Sequence, residues 1–479
     1  MRRSIVIGVA VAAALLLTGC QSWVNQWLDA GNNTVTTAAF GVASVDGLAV
    51  AWTAPDHTGA LVANGRWYAE GPTGDLEVLA LDGSSCPGGS CTPQWSAEGR
   101  PVALSADHVI TLVDEGAGAF RLHATDRAGV DGCTGAPRVC APQWRSPVIG
   151  EPVDGTARVL GDHLVVAEAT GVADPYGGVG PARLLGWRDV GAPARCGEVT
   201  PGVCPHDWQS GPLTLFDAAD TFDPERGAVA LGVGHAVVVD GAGLTTTLRG
   251  FDLAGAGCVG SAPATCSSTW QASSAISSLW AEWKPYVSPV IAGGRVYVVE
   301  GWASLFAPDK LRSWDIAGCA AASPCAATWS RTLGDDPGIV APPGDPLDRR
   351  YSPSDPTVVG STVLIHRSLE SWSEPAEFPR QDWVLALSTA PGDTTAEPRW
   401  RTPGVRPTHG LVVGGGVAFV EPPTGGIAAV DASGTVGCAG APKVCAPLWS
   451  STEATAVRSV VGRRVLADAV GGGTVVFST

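Results

Sequence analysis

The chain has 479 residues, with 62 glycines, 37 prolines, 13 cysteines and a formal net charge of −16. That length allows two or three average domains or one large all-β domain, and dense glycine and proline without a sustained helical period exclude a helical bundle and point to many short strands. The acidic balance disfavours nucleic acid and anionic headgroups as partners, because their phosphates draw basic surfaces.

The N-terminus reads Met1-Arg2-Arg3-Ser4, then an apolar run from Ile5 to Leu17, then Leu17-Thr18-Gly19-Cys20. A charged start, an apolar stretch and a small-residue processing site make residues 1–19 an export signal. The run is shorter than the roughly 20 residues that span a bilayer. Small residues before a cysteine resemble the lipobox of bacterial lipoproteins. The resemblance implies that Cys20 becomes the first mature residue and carries a diacylglyceryl group of palmitate-like chains on its thiol. At about 0.8 kcal/mol per buried CH₂, two chains hold a domain firmly at the membrane. The expected location is therefore the extracytoplasmic face of the cell membrane. Gln21 to Ala39 is polar, with isolated Trp23 and Trp27 and no packed period, so residues 20–39 read as the lipidated cysteine and a flexible tether.

From Phe40 onward one pattern recurs to the end. A tryptophan followed by small or polar residues appears at Trp52, Trp95, Trp144, Trp208, Trp270, Trp329, Trp400 and Trp449. Upstream of each lies an apolar strand, most ending in aspartate: Val45-Asp46, Leu81-Asp82, Thr125-Asp126, Arg188-Asp189, Phe251-Asp252, Trp314-Asp315 and Val430-Asp431, with Leu387-Ser388 in one unit. Downstream come valine-rich hairpins with tight turns, such as Val290-Ile291-Ala292-Gly293-Gly294-Arg295-Val296-Tyr297-Val298. These are the strand and hairpin signals, and a period in the tens of residues marks a repeat architecture. Each unit supplies about four strands, and such a sheet buries both faces only by stacking between neighbours around an axis. Residues 40–479 are therefore expected to form a single all-β domain, a β-propeller of about eight four-stranded blades, with seven left open by the short first unit. The indole suits inter-blade packing, and the aspartate is expected to accept backbone or indole N–H groups in the turn. Gly473-Thr474-Val475-Val476-Phe477-Ser478 reads as a last strand that closes the ring on a sheet begun near Phe40.

Apart from Cys20, the cysteines fall into local pairs: Cys86 with Cys91, Cys133 with Cys140, Cys196 with Cys204, Cys258 with Cys266, Cys319 with Cys325, and Cys438 with Cys445. The second of each pair precedes a repeat tryptophan by four residues. An even count, a repeat-locked spacing and an exported chain predict disulfides that staple each turn. No unit supplies four zinc ligands, and there is no C-x-x-C redox motif.

Strand, aspartate, glycine-containing turn (Asp431-Ala432-Ser433-Gly434) and tryptophan together resemble the PQQ-like repeat propellers. That group includes quinoprotein alcohol dehydrogenases and BamB-like outer-membrane assembly lipoproteins. The resemblance covers Phe40 to Thr479; the turn lengthened around a cysteine pair departs from it. A quinoprotein would be expected to carry adjacent cysteines, a calcium site and a catalytic aspartate, and this sequence has no adjacent cysteines. Gly255-Ala256-Gly257-Cys258-Val259-Gly260 matches a dinucleotide fingerprint only as a string, because no helix follows it. Asp217 to Glu225 is acidic but lacks EF-hand spacing. His108, His163 and His235 fall at hairpin turns. No catalytic residue, metal site or cofactor is expected.

Insertions at 174–180, 213–226, 277–286, 334–350 and 370–381 vary the units, and insertions in repeat proteins tend to decorate one binding face. Trp280, Trp283 and Tyr286 are the candidate partner-binding residues, since exposed aromatics anchor interfaces. Arginine supplies nearly all the basic residues, and alanine, glycine and valine abound, a usage that fits a GC-rich, actinobacterial source. The function expected is a monomeric, non-enzymatic binding or scaffold protein, lipid-anchored and engaging cell-envelope partners. The alternatives are a quinoprotein-like or sugar-active enzyme and a small-molecule sensor.

Overall fold

The computed structural model describes residues 35–36, 39–153, 156–171, 179–191, 193, 195–198, 200, 202–216, 229–241, 246–274, 288–300, 310–321, 324–333, 349–353, 356–371, 381–390, 398–404 and 411–479. Their strands form eight separate sheets, each built on four antiparallel strands, which follow one another in sequence in all but the Trp52 sheet. We name each sheet by its repeat tryptophan. The Trp144 sheet shows the plan: Arg100–Leu104 is innermost, then His108–Gly116, Ala119–Asp126 and, outermost, Trp144–Arg145. The tryptophan lies on the fourth strand throughout, from Trp95–Ala97 and Trp208–Ser210 to Trp400–Pro403 and Trp449–Ser451.

Stacking explains why the second strands are apolar runs rather than alternating ones. His163–Ala169 buries Leu164, Val165, Val166, Ala167 and Glu168, because one face of the strand packs on the preceding sheet and the other on the next. Eight apolar clusters lie between sheets that are neighbours in the chain, and in sequence they lead round to the start. The innermost strands likewise touch in a closed series. The chain is a β-propeller.

The ring is shut by joining the two ends of the chain. Thr474–Ser478 is the third strand of the Trp52 sheet and pairs antiparallel with Ala49–Ala54, Trp52 opposite Val476. This closure is the one expected from the terminal segment. The first unit differs from its expectation in one respect: Val45–Gly47 is a 3₁₀ turn and not a strand. Because Ala49–Ala54 takes its third strand from the C-terminus, Val45 and Asp46 have no ladder to join and instead cover the end of the Trp449 sheet. Val35–Thr36, read as part of the tether, pairs parallel with the innermost strand Val412–Gly414.

Phe477 is 1% exposed and meets Trp449 edge-to-face at 5.2 Å, so it joins the closing sheet to the one before it. Truncating a buried phenylalanine costs about 3–5 kcal/mol. Phe477→Ala is expected to destabilise the chain by that amount in chemical denaturation; a loss below about 1 kcal/mol would mean that the ends contribute little to closure.

Candidate functional site

In every sheet the turn from the first to the second strand and the turn from the third to the fourth leave from one edge. The remaining connections leave from the other. All six disulfides form, Cys86–Cys91, Cys133–Cys140, Cys196–Cys204, Cys258–Cys266, Cys319–Cys325 and Cys438–Cys445, and all sit in third-to-fourth-strand turns. One face of the ring is thus the disulfide face. The insertions at 174–180 and 370–381 join second to third strands, whereas 213–226, 277–286 and 334–350 follow a fourth strand, so the strands flanking them all end at the opposite face. They belong to the consecutive Trp208, Trp270, Trp329 and Trp400 sheets and their connections, one half of the ring.

The disulfide face is built for cohesion. The Asp126 carboxylate accepts the N–H groups of Ala128, Val130 and Asp131 at 2.8–3.0 Å. Asp431 accepts those of Ser433, Thr435 and Val436 at 2.7–2.8 Å. Burial alone raises both carboxyls, but these N–H groups outweigh it and hold them below the usual carboxylate range. The turns so fixed lie on the preceding sheet's indole, Gly129 against Trp95 and Gly434 against Trp400. Trp400 Nε1 donates to the Ala432 carbonyl at 3.0 Å, and in other sheets Trp144 Nε1 donates to Val190 at 2.9 Å and Trp449 Nε1 to Leu48 at 2.9 Å, whereas Nε1 of Trp52, Trp95, Trp270 and Trp329 makes no such bond among the described residues. Gly434 has φ +68°, and a Cβ there would stand 2.0 Å from Trp400 Cδ1, so only glycine fits under the ring. The cysteine hairpin then pairs parallel with the same fourth strand, Ala264 opposite Trp208 and Lys443 opposite Trp400. Its second cysteine is buried, as at Cys140, Cys204, Cys266 and Cys445.

The insertion face carries a different set. Glu168, buried, pairs with Arg183 and accepts the Gly150 N–H at 2.9 Å, while Arg183 also donates to Gln209 at 3.1 Å. Asp240, also buried, pairs with Arg249 at 2.7 Å and accepts the Thr214 N–H at 2.9 Å. In both, an acid at the end of a second strand ties down the chain arriving from a fourth strand. Two insertion flanks extend their sheets on this side: Leu213–Phe216 pairs with Val179–Trp187, and Arg349–Pro353 with Thr362–Ser371. Val35–Thr36 lies on the axial side of Val412–Gly414, parallel to it, and the Ala39 N–H bonds the Gly462 carbonyl, in a disulfide-face turn.

Among solved structures, a europium-containing methanol dehydrogenase superposes with a TM-score of 0.52 over 94% of this chain and 89% of its own, at 11% identity. The likeness is one of fold. The β-propeller domain of Cps50 (Swd1) from Myceliophteria thermophila matches 78% of this chain and 93% of its own at 7% identity, with a TM-score of 0.33. No family model matches the chain, and no curated protein does either.

Cys20, Trp280, Trp283, Tyr286 and the acidic stretch 217–225 lie outside the described residues. On either side of Trp280, Trp283 and Tyr286 in the chain, the strand Trp270–Ser274 ends and the strand Val290–Ala292 begins at the insertion face. Among the described residues no group of three or more His, Cys, Asp or Glu side chains could hold a metal. His57 with Glu77 at 2.8 Å and His366 with Asp382 at 3.1 Å belong to different sheets. Burial pushes His206 below the usual imidazole range, and its ring packs edge-on against Trp187 at 5.8 Å. His108, His163 and His235 each open a second strand beside its hairpin turn. The Glu168–Arg183 and Asp240–Arg249 pairs were not singled out from sequence; charged residues ending apolar runs, as in Val-Val-Ala-Glu168, are the signal that marks them.

Replacing Asp431 by asparagine should cost about 1–3 kcal/mol at neutral pH, since charge-assisted bonds from the turn's N–H groups to this buried carboxylate are lost. A carboxyl held low in the fold stabilises fully above its unfolded value of about 3.9. That contribution disappears as pH falls through the folded value. The stability gap between wild type and Asp431→Asn should therefore narrow with acidification below about pH 4, followed by urea unfolding across pH; a gap independent of pH would contradict the turn-capping role.

Proposed function

We propose that the chain is an extracytoplasmic, lipid-anchored, eight-bladed propeller that binds cell-envelope partners through its insertion face as a non-enzymatic scaffold. One observation carries this reading: every large insertion leaves the same face and the same half of the ring, while the other face is committed to cohesion by carboxylate-capped turns, docked indoles and disulfides. Variable connections on a rigid frame are where repeat proteins place recognition. Trp280, Trp283 and Tyr286 in the 275–287 connection supply the aromatic anchors, and Cys20 supplies the lipid. The PQQ-like resemblance supports a contact role of the BamB-like kind. The likeness to a methanol dehydrogenase is one of fold and lends no weight to a quinoprotein reading, since a fold does not fix an activity.

Crosslinking in native membranes, recovery of the anchored protein, and absorption and metal analysis of the same material test the reading. A recurrent envelope partner, lost when Trp280, Trp283 and Tyr286 are replaced by alanine, is expected with a colourless protein. Cys20→Ala should move the protein from the membrane to the soluble fraction. A bound chromophore or stoichiometric metal with no partner would overturn the scaffold in favour of an enzyme.

A further inference from the structure

We propose that the outer edge of the Trp449 sheet takes an extended segment of another protein as an added strand, at a site independent of the insertion face. In five sheets the chain itself fills that edge, through the cysteine hairpin of the following unit. Arg138–Cys140 lies parallel to Trp95–Ala97, Ala264–Cys266 to Trp208–Ser210, and Lys443–Cys445 to Trp400–Pro403. The residue after the tryptophan makes the outward bonds. Arg145 N–H donates to the Gly202 carbonyl at 2.9 Å, its carbonyl accepts the Cys204 N–H at 2.7 Å, and the Gln271 carbonyl accepts the Cys325 N–H at 2.9 Å.

The Trp449 sheet has no such hairpin. The sheet after it draws its third strand, Thr474–Ser478, and its fourth, Ala49–Ala54, from separate parts of the chain, and the 3₁₀ turn Val45–Gly47 stands where a hairpin would. The Leu48 carbonyl accepts the indole N–H, but the N–H and carbonyl of Ser450 meet no backbone group among the described residues. Trp449 is accordingly left partly exposed, whereas the tryptophans that lie under a paired hairpin are 1–3% exposed. Trp52 is partly exposed too, but the Cys86–Cys91 turn lies over its strand, with Gly89 so near that a Cβ there would stand 3.6 Å from the Thr53 hydroxyl. An unpaired strand edge offers main-chain bonds to an extended partner, and an accessible indole beside it offers a side-chain anchor.

The chain's own hairpins define the occupant. They present Arg138-Val139-Cys140, Ala264-Thr265-Cys266 and Lys443-Val444-Cys445, with the first residue opposite the tryptophan, a β-branched residue opposite its successor, and a buried small residue third. Asp46, exposed two residues before the Leu48 carbonyl that holds the Trp449 indole, sets a negative charge at the end where the first residue sits. The whole chain carries −16. The segment that fits therefore has arginine or lysine, a β-branched residue and a small apolar residue in succession. In parallel register its basic residue's carbonyl accepts the Ser450 N–H, its small residue's N–H donates to the Ser450 carbonyl, and the N–H of the β-branched residue points away.

A dye-labelled peptide of sequence Ser-Lys-Val-Ala-Ser, followed by fluorescence anisotropy as the intact, oxidised chain is added, tests this. The peptide is expected to bind, and a scrambled peptide of the same composition to bind at least about tenfold more weakly. Methylating the alanine amide nitrogen should weaken binding about tenfold, whereas methylating the valine amide nitrogen should change it less than about twofold. Asp46→Lys should weaken binding about threefold or more. Ser450→Pro removes the outward N–H and should abolish binding, and the methylated peptides probe the same edge with the protein unaltered. No binding at about 1 mM, equal binding of the scrambled peptide, or equal losses from the two methylations overturns the proposal. So does a dimer in sedimentation that Ser450→Pro dissolves, which would make a second copy of this chain the occupant of the edge.

Discussion

The interaction on which the rest depends is the contact between each outer-strand indole and the turn of the next sheet. A four-stranded sheet has two apolar faces and cannot be stable alone. The indole supplies a broad flat surface at the rim of the interface, and the following turn lies on it as a lid. Where the lid is complete it takes three things from the sequence: an aspartate to gather its N–H groups, a glycine that leaves room for the ring, and a backbone carbonyl aimed at Nε1, the last of which Trp52, Trp95, Trp270 and Trp329 lack among the described residues. Asp431, Gly434 and Ala432 meet these needs for Trp400. The cysteine hairpin adds a fourth, since one of its cysteines, the second in four pairs and the first at Cys86 and Cys319, is buried and fixes the lengthened turn.

A consequence is a division of labour between the two faces. The face that holds the sheets together cannot vary freely, because each turn is in contact with a neighbour's buried ring. The other face carries connections whose only fixed demand is that their ends be tied down, which Glu168 and Asp240 do through the N–H groups of Gly150 and Thr214. Insertions therefore accumulate where they disturb no sheet contact, which is why the proposed recognition is placed there. The N-terminal strand Val35–Thr36 fills space beside the axis, against the innermost strands.

Much of the fold was legible in the sequence because the demand repeats. Eight tryptophans in one context, and cysteines four residues before six of them, leave few alternatives to stacked sheets with stapled turns. The closing strand was legible for the same reason, as Thr474 to Ser478 repeats the valine-rich strand pattern of the units before it. Val45-Asp46 misled because the rule that a strand precedes the aspartate fails where the ring is joined from both ends. Glu168 and Arg183 stayed hidden because they are partners only through the register of two strands, which local pattern does not reveal. The proposed partner-binding residues Trp280, Trp283 and Tyr286 lie outside the described residues, in an insertion where the repeat stops constraining the sequence.

Hydrogen exchange at single-residue resolution on the intact, oxidised chain tests the central claim most directly. The amides of Val130, Asp131, Thr435 and Val436 lie in surface turns, but each is bonded to a carboxylate that fixes a lid over a buried indole. If indole docking holds the sheets together, these amides exchange only as the neighbouring interfaces open, with protection close to that of core amides such as Val165 and Val237. Exchange at the rate of ordinary exposed turns would show that the lids open independently, and would place the cohesion of the ring in the strand interiors instead.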